Sequence, residues 1–159
     1  MVVINDLAKK MQARYWENKT LEELSPQEWE QLCDHCGLCC LVRIQDADSG
    51  TIYDTNVICR HYDCDSSRCR SYHNREAVPH GCESLTPATV RAYNWLPDSC
   101  AYRVVMRGES LPATHPLLAG EAKSPVPSAV VRQFTGIGLV QDADDIDPAC
   151  HLIALEDIG

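Results

Sequence analysis

Phenylalanine occurs once in 159 residues and aromatic residues make up only 6% of the chain, so the apolar set available for a core is thin in large rings. No stretch approaches the ~20 consecutive apolar residues that cross a bilayer, which argues against a membrane-embedded protein. Residues 1–10 (Met-Val-Val-Ile-Asn-Asp-Leu-Ala-Lys-Lys) lack the apolar core and small-residue cleavage site of a secretory signal. The expected compartment is therefore a reducing cytoplasm. Basic residues are also scarce: 14 Lys and Arg face 23 Asp and Glu, for a net charge of −9. Nucleic-acid binding depends on cations that neutralise phosphates, and Arg68, Arg70, Arg103 and Arg107 form local spots rather than a stripe. Neither nucleic acid nor membrane is expected as a partner, whereas a protein partner is left open.

Catalytic signatures are missing as well. The chain has no phosphate loop, no nucleophile elbow and no H-E-x-x-H. Gly136-Ile-Gly138 lacks a third glycine and comes too late for a βαβ unit. Asp46, Asp48 and Asp54 read as a polar turn before they read as a hard-cation site. The sequence leans away from an enzyme.

What the chain does have is cysteine, ten in all. In a reducing compartment clustered thiols bind metal or do redox chemistry, and disulfides are rare. The run Cys-Asp-His-Cys-Gly-Leu-Cys-Cys (33–40) carries the strongest signal. Two intervening residues let successive thiolates converge on one ion, and Gly37 permits the tight backbone path between them. A redox dithiol of the thioredoxin kind needs C-x-x-C opening a helix after a strand; here a helix is expected before the motif. A buried cluster of free thiols would be an odd use of so many cysteines. Adjacent residues cannot easily point at one centre, so Cys39 and Cys40 are expected to serve two ions or to bridge them.

The elements around the run are short. Leu7, Met11, Tyr15 and Trp16 share a face, which predicts a helix over residues 6–18. Ser25, Pro26 and Glu28 form a capping box with proline in the first turn, which predicts a helix running into Cys33. Residues 41–44 and 51–58, split by the turn residues 46–50, predict a β-hairpin returning toward Cys59. From Cys59 to Cys82 the chain is polar, poor in aliphatics and carries four cysteines. It cannot order itself by apolar burial, and metal coordination is the available agent. Thr86-Pro87 starts a helix through Val90 and Tyr93, and Ser99 caps another through Tyr102 and Val104 that Gly108 stops. Residues 111–120 read as an irregular connector and 128–134 as a late strand. The last 19 residues hold six acids and no Lys or Arg, the composition of a solvated tail. The fold class is α+β: a small single domain of short helices and a small antiparallel hairpin or sheet around a cysteine-rich metal centre. Its parts are an N-terminal helix (1–18), a cysteine-rich metal-binding domain (19–135) and an acidic C-terminal segment (136–159).

The sequence resembles the small bacterial UPF0260 proteins, within the CxxCxxCC group described as zinc- or iron-chelating domains. The resemblance rests on the run 33–40, Ile-Tyr-Asp-Thr-Asn-Val-Ile-Cys-Arg (52–60), Cys-Arg-Ser-Tyr (69–72), Cys82 with Leu85-Thr86, Trp-Leu-Pro-Asp-Ser-Cys-Ala-Tyr-Arg (95–103) and Leu-Pro-Ala-Thr-His-Pro-Leu-Leu (111–118). It implies eight metal ligands: Cys33, Cys36, Cys39, Cys40, Cys59, Cys69, Cys82 and Cys100. Cys64 and Cys150 lie outside that pattern, with Cys64 a stand-in for a cysteine that relatives carry near Ser67. Eight thiolates suit two four-coordinate sites over which the run divides, Cys59, Cys69, Cys82 and Cys100 completing them. His35, His61 and His115 are secondary ligand candidates, and an exposed or hydrogen-bonded role suits each better. All-sulfur coordination suits zinc or an iron–sulfur cluster. The fourth ferredoxin cysteine is absent, Arg43 and Ile44 standing where it would fall, so zinc is favoured and iron or an iron–sulfur cluster is the alternative. The expected role is a metal-binding protein with a structural or partner-binding function; an iron–sulfur redox protein or enzyme and a metal storage or delivery protein are the alternatives.

Overall fold

The computed structural model describes residues 14–119 and 128–153. The fold is α+β and its described residues divide into two compact units that interleave along the chain, one of residues 14–34 and 85–119, the other of residues 35–84 and 128–153. None of the described helices is long and apolar enough to cross a membrane.

The first unit is helical: α1 Tyr15–Asn18, α2 Pro26–Leu32, α3 Pro87–Ala92, α4 Ala101–Met106 and α5 Pro116–Ala119. The part of the expected N-terminal helix before residue 14 lies outside the described residues. Helix α2 starts as its sequence demands. The Ser25 side chain accepts from Glu28 N, the Glu28 carboxylate accepts from Ser25 N, and Pro26 sits in the first turn. It ends at Leu32, and its last carbonyls find side-chain donors. Tyr15 donates to Glu28 O at 2.9 Å, Tyr102 to Trp29 O at 2.9 Å, and His115 Nε2 bonds Leu32 O at 2.8 Å. A helix end leaves its last four carbonyls without intrahelical partners; Tyr102 and His115 satisfy two of these, Trp29 O and Leu32 O. The core gathers Trp16, Leu21, Leu32, Val90, Ala101, Tyr102 and Leu111, and Trp29 stacks on Tyr102 with centroids 4.4 Å apart. Burial, and next the charge of Glu28, push the Tyr15 hydroxyl up to about 12. Helix α4 begins one residue later than expected: Cys100, not Ser99, holds the N-cap position, without a side-chain cap. The connector 111–120 is less irregular than expected, because His115 Nδ1 accepts from Leu117 N and α5 follows.

The second unit is built on the predicted hairpin. Strands β1 Leu41–Gln45 and β2 Ile52–Ile58 pair antiparallel, with Arg43 opposite Asp54 and an irregularity between Leu41 and Arg43. Asp46 Oδ1 accepts from Asp48 N and Ser49 N, which closes the turn as a polar turn. A two-residue ladder, β3 Tyr62–Asp63 with β4 Arg68–Cys69, gives the cysteine-rich segment its only regular pairing among the described residues. Residues 128–134 correct the expected strand: Ala129–Gln133 is a helix, α6. Val130 and Phe134, one helical turn apart, are both buried against Leu38, Ile58 and Tyr62, and that i, i+4 spacing outweighs the strand preference of the β-branched pair Val130-Val131. The acidic segment is not a free tail over its described length. Strand β5 Val140–Gln141 runs parallel to β2, giving the order β1-β2-β5. Arg60 pairs with Asp142 at 3.1 Å and Asp144 at 2.8 Å, and Ile153 N donates to Asp54 O.

Candidate metal centre

After α2 the run 33–40 leaves helical geometry. Cys33 is extended, His35 and Gly37 have φ of +58° and +78°, and Leu38–Cys40 make one 3-10 turn. Only glycine is tolerated at 37 for two reasons: the left-handed φ, and a Cβ that would come within 2.7 Å of the Tyr62 ring and 2.5 Å of Val130. Tyr62 is fixed there by a 2.6 Å hydrogen bond to Ser128 Oγ, while Ser128 N donates to Ser67 Oγ at 3.0 Å. Backbone bonds then knit the cysteines of the second unit together. Val130 N donates to Cys36 O, and Cys59 N to Cys40 O at 2.8 Å. Gln141 Nε2 donates to both Cys59 O and Tyr62 O. Cys69 pairs with Tyr62 across β3 and β4, and Cys82 N donates to Arg75 O at 2.9 Å. Gly81 sits so close to the Arg75 carbonyl that any Cβ would overlap it.

Of the eight cysteines implied by resemblance, six (Cys36, Cys39, Cys40, Cys59, Cys69 and Cys82) belong to the second unit, and Cys33 and Cys100 belong to the first, packed against its core. All ten cysteines are free thiols. Among the described residues no three Cys, His, Asp or Glu side chains are already closed around one point at metal-binding distance. They are nevertheless electrostatic neighbours. The Cys39 thiol is held well above its usual value, chiefly by a hydrogen bond with Cys40 that favours the protonated form. Burial also raises it, a contribution that weighs less because Cys39 as a residue is exposed; Arg43 acts in the opposite sense. Burial raises Cys59, with Cys69 adding to it against the His61 N–H bond to its sulfur. Burial raises Cys82 too, Arg75 opposing and Cys59, Cys69 and Cys39 reinforcing it. Thiols gathered this way resist ionising in the absence of a cation, and a bound metal inverts that preference.

Several of the other candidate donors are engaged elsewhere. His61 bonds Pro79 O and Ser71 Oγ through its two ring nitrogens, and His115 bonds Leu32 O and Leu117 N. The His35 ring lies edge-on to Tyr72. Asp54 and Asp142 are paired with Arg43 and Arg60. The cysteines of the set offer sulfur, which fits zinc or an iron–sulfur cluster. Cys64 packs against the apolar cluster of Leu38, Ile58 and Phe134, and Ser67 is buried in the Tyr62 network with φ +56°. Sequence reasoning passes over Arg43 and that network. A charged residue in the middle of Leu-Val-Arg-Ile is the available signal for the first; nothing local marks the second.

The CxxCxxCC family, whose description reads "Putative zinc- or iron-chelating domain", matches residues 32–101, the stretch that contains all eight cysteines of the set. A UPF0260 protein of Pseudomonas putida strain GB-1 is 43% identical over 141 residues, 89% of this chain and 93% of that protein. One from Mesorhizobium japonicum is 48% identical over 114 residues, covering 72% and 77%. One from Rhodopseudomonas palustris strain BisA53 is 36% identical over 154 residues, covering 97% and 91%. No solved structure matches. The family description supports a metal-binding role, and the extent of these likenesses places the chain: it belongs to the UPF0260 family.

Proposed function

We propose that the protein is a cytoplasmic metal-binding module in which thiolate-bound zinc orders the second unit. The observation that carries this reading is that hydrogen bonds and strand pairing hold cysteines from separate stretches within one unit, Cys59 N on Cys40 O, Cys69 opposite Tyr62 and Cys82 N on Arg75 O, with Cys39, Cys59 and Cys69 all near enough to act on the Cys82 thiol. Four thiolates are the complement of a structural zinc site; Cys33, Cys36, Cys40 and Cys100 stay in the proposed ligand set. Zinc supplies cross-linking without redox chemistry. Backbone strain supports the reading as well. His35, Ser67 and His80, the three described non-glycine residues with positive φ, each lie within two residues of a cysteine of the set. Each costs about 1–2 kcal/mol and persists only where the surroundings over-determine it. The ordered surface then serves to recruit a protein.

Anaerobic purification followed by metal analysis and a visible spectrum tests this. Colourless protein with stoichiometric zinc is the expected result. Brown protein with iron and acid-labile sulfide would replace it with the second reading, an iron–sulfur centre, which shares the C-x2-C-x2-C spacing.

A further inference from the structure

The 3-10 turn Leu38–Cys40 presents two adjacent thiols, and such a turn has few bonds of its own: Leu41 N returns to Leu38 O and Cys40 N to Gly37 O. A third constraint comes from strand β1. The Arg43 side chain, only 14% exposed, folds back over the turn. Its Nη2 donates to Leu38 O at 3.1 Å and its Nη1 to Leu41 O at 3.3 Å, the carbonyls that flank Cys39–Cys40 on either side. Its Nε donates to Asp54 Oδ1 at 3.0 Å, which anchors the guanidinium on β2 across the hairpin. The strand irregularity between Leu41 and Arg43 sits where the side chain turns back. A guanidinium offers this planar fork of donors together with a permanent charge; a lysine offers the charge alone.

We propose that Arg43 is a positioning residue for the Cys39–Cys40 pair, clamping the turn that carries both sulfurs and supplying the fixed cation that offsets their negative charge when they bind metal. The inference rests on the metal-binding reading. Thiolate sites carry excess negative charge, and groups beyond the ligands that orient and compensate them commonly change metal affinity about 10–100-fold when removed. Arg43 combines both roles in one side chain: Asp54 accepts from Nε and holds it in place, while Nη1 and Nη2 reach the turn carbonyls.

Cobalt(II) titration of the full chain, followed by sulfur-to-cobalt charge-transfer absorption, tests this with circular dichroism as the fold control. Arg43→Gln is expected to weaken cobalt binding about 10–100-fold and to lower the band intensity per cobalt at saturation. Arg43→Lys, which keeps the charge and loses the fork, is expected to recover part of that loss. Arg14→Gln, at an exposed side chain of the first unit paired with Glu17, is expected to match wild type. Wild-type cobalt affinity and band intensity in Arg43→Gln would overturn the proposal; should that variant not fold, the same result in Arg43→Lys overturns the clamp. Arg43→Lys as weak as Arg43→Gln overturns the role of the charge. A wild-type chain with no sulfur-to-cobalt band overturns the metal reading itself, a failure visible before any variant is compared.

Discussion

The two units solve the same problem, holding short elements in place, by different means. The first buries Trp16, Leu21, Leu32, Val90 and Tyr102 and satisfies the end of α2 with Tyr15, Tyr102 and His115. It carries two cysteines. The second carries eight of the ten, and its apolar cluster of Leu38, Leu41, Ile58, Tyr62, Val130 and Phe134 lies under the hairpin and α6. The stretch 64–82 beyond it holds no residue of that cluster except the flanking Cys64. Apolar burial is worth roughly 25 cal/mol per Å² and must exceed the entropy of ordering the chain. One unit meets that condition with side chains; for the stretch 64–82 of the other, the proposed metal would supply the cross-link.

The sharpest way to break this comparison is to remove metal. Chelation should abolish amide-exchange protection across residues 59–82 while α2 and α4 keep theirs, because structural thiolate sites contribute on the order of 10 kcal/mol to folding. Hydrogen exchange read by mass spectrometry would show it, and equal loss in both units would mean that the distinction is false. Phe134→Ala comes next. The only phenylalanine is 1% exposed at the centre of the second cluster, and its truncation should cost about 3–5 kcal/mol in a denaturant titration of the metal-loaded protein. A cost under 1 kcal/mol would mean that the metal alone holds that unit.

Local sequence rules account for part of this contrast. Helix α2 and the hairpin follow them, a capping box and turn residues between alternating strands, and both form where the residues place them. Helix α6 does not read as a helix because Ala-Val-Val favours a strand locally, and only the partners of Val130 and Phe134 decide otherwise. The docking of the acidic segment depends on Arg60, about 80 residues away in sequence, which no local pattern encodes. At the centre, the cysteine run stands out by spacing alone. Arg43 and the Tyr62–Ser128–Ser67 network do not, since each acts through contacts that only the fold creates.

A smaller effect probes the first unit. His115→Ala removes the donor to Leu32 O and the acceptor for Leu117 N, both buried or partly so. The expected loss is about 1–3 kcal/mol in thermal or denaturant unfolding, with zinc content unchanged. Loss of zinc at full helicity would instead make His115 part of the metal site.

The smallest predicted effect is a difference in sign with pH. In the metal-free chain the thiol of Cys39, which lies outside the stretch 59–82 that chelation is expected to open, sits above its ordinary value of 9.0, chiefly through its hydrogen bond with Cys40. A group whose pKa is raised by folding binds its proton more tightly in the folded state, so its contribution is fully present below the ordinary value and is lost as pH climbs through the raised one. The metal-free protein should therefore lose stability from about pH 9 upward. The loaded protein should do the reverse over the acidic side, because protons compete with the ion for thiolates and binding releases them. Urea midpoints measured on both forms from pH 5 to 10 would test this. If the two curves run parallel, Cys39 is not among the thiols that bind the metal.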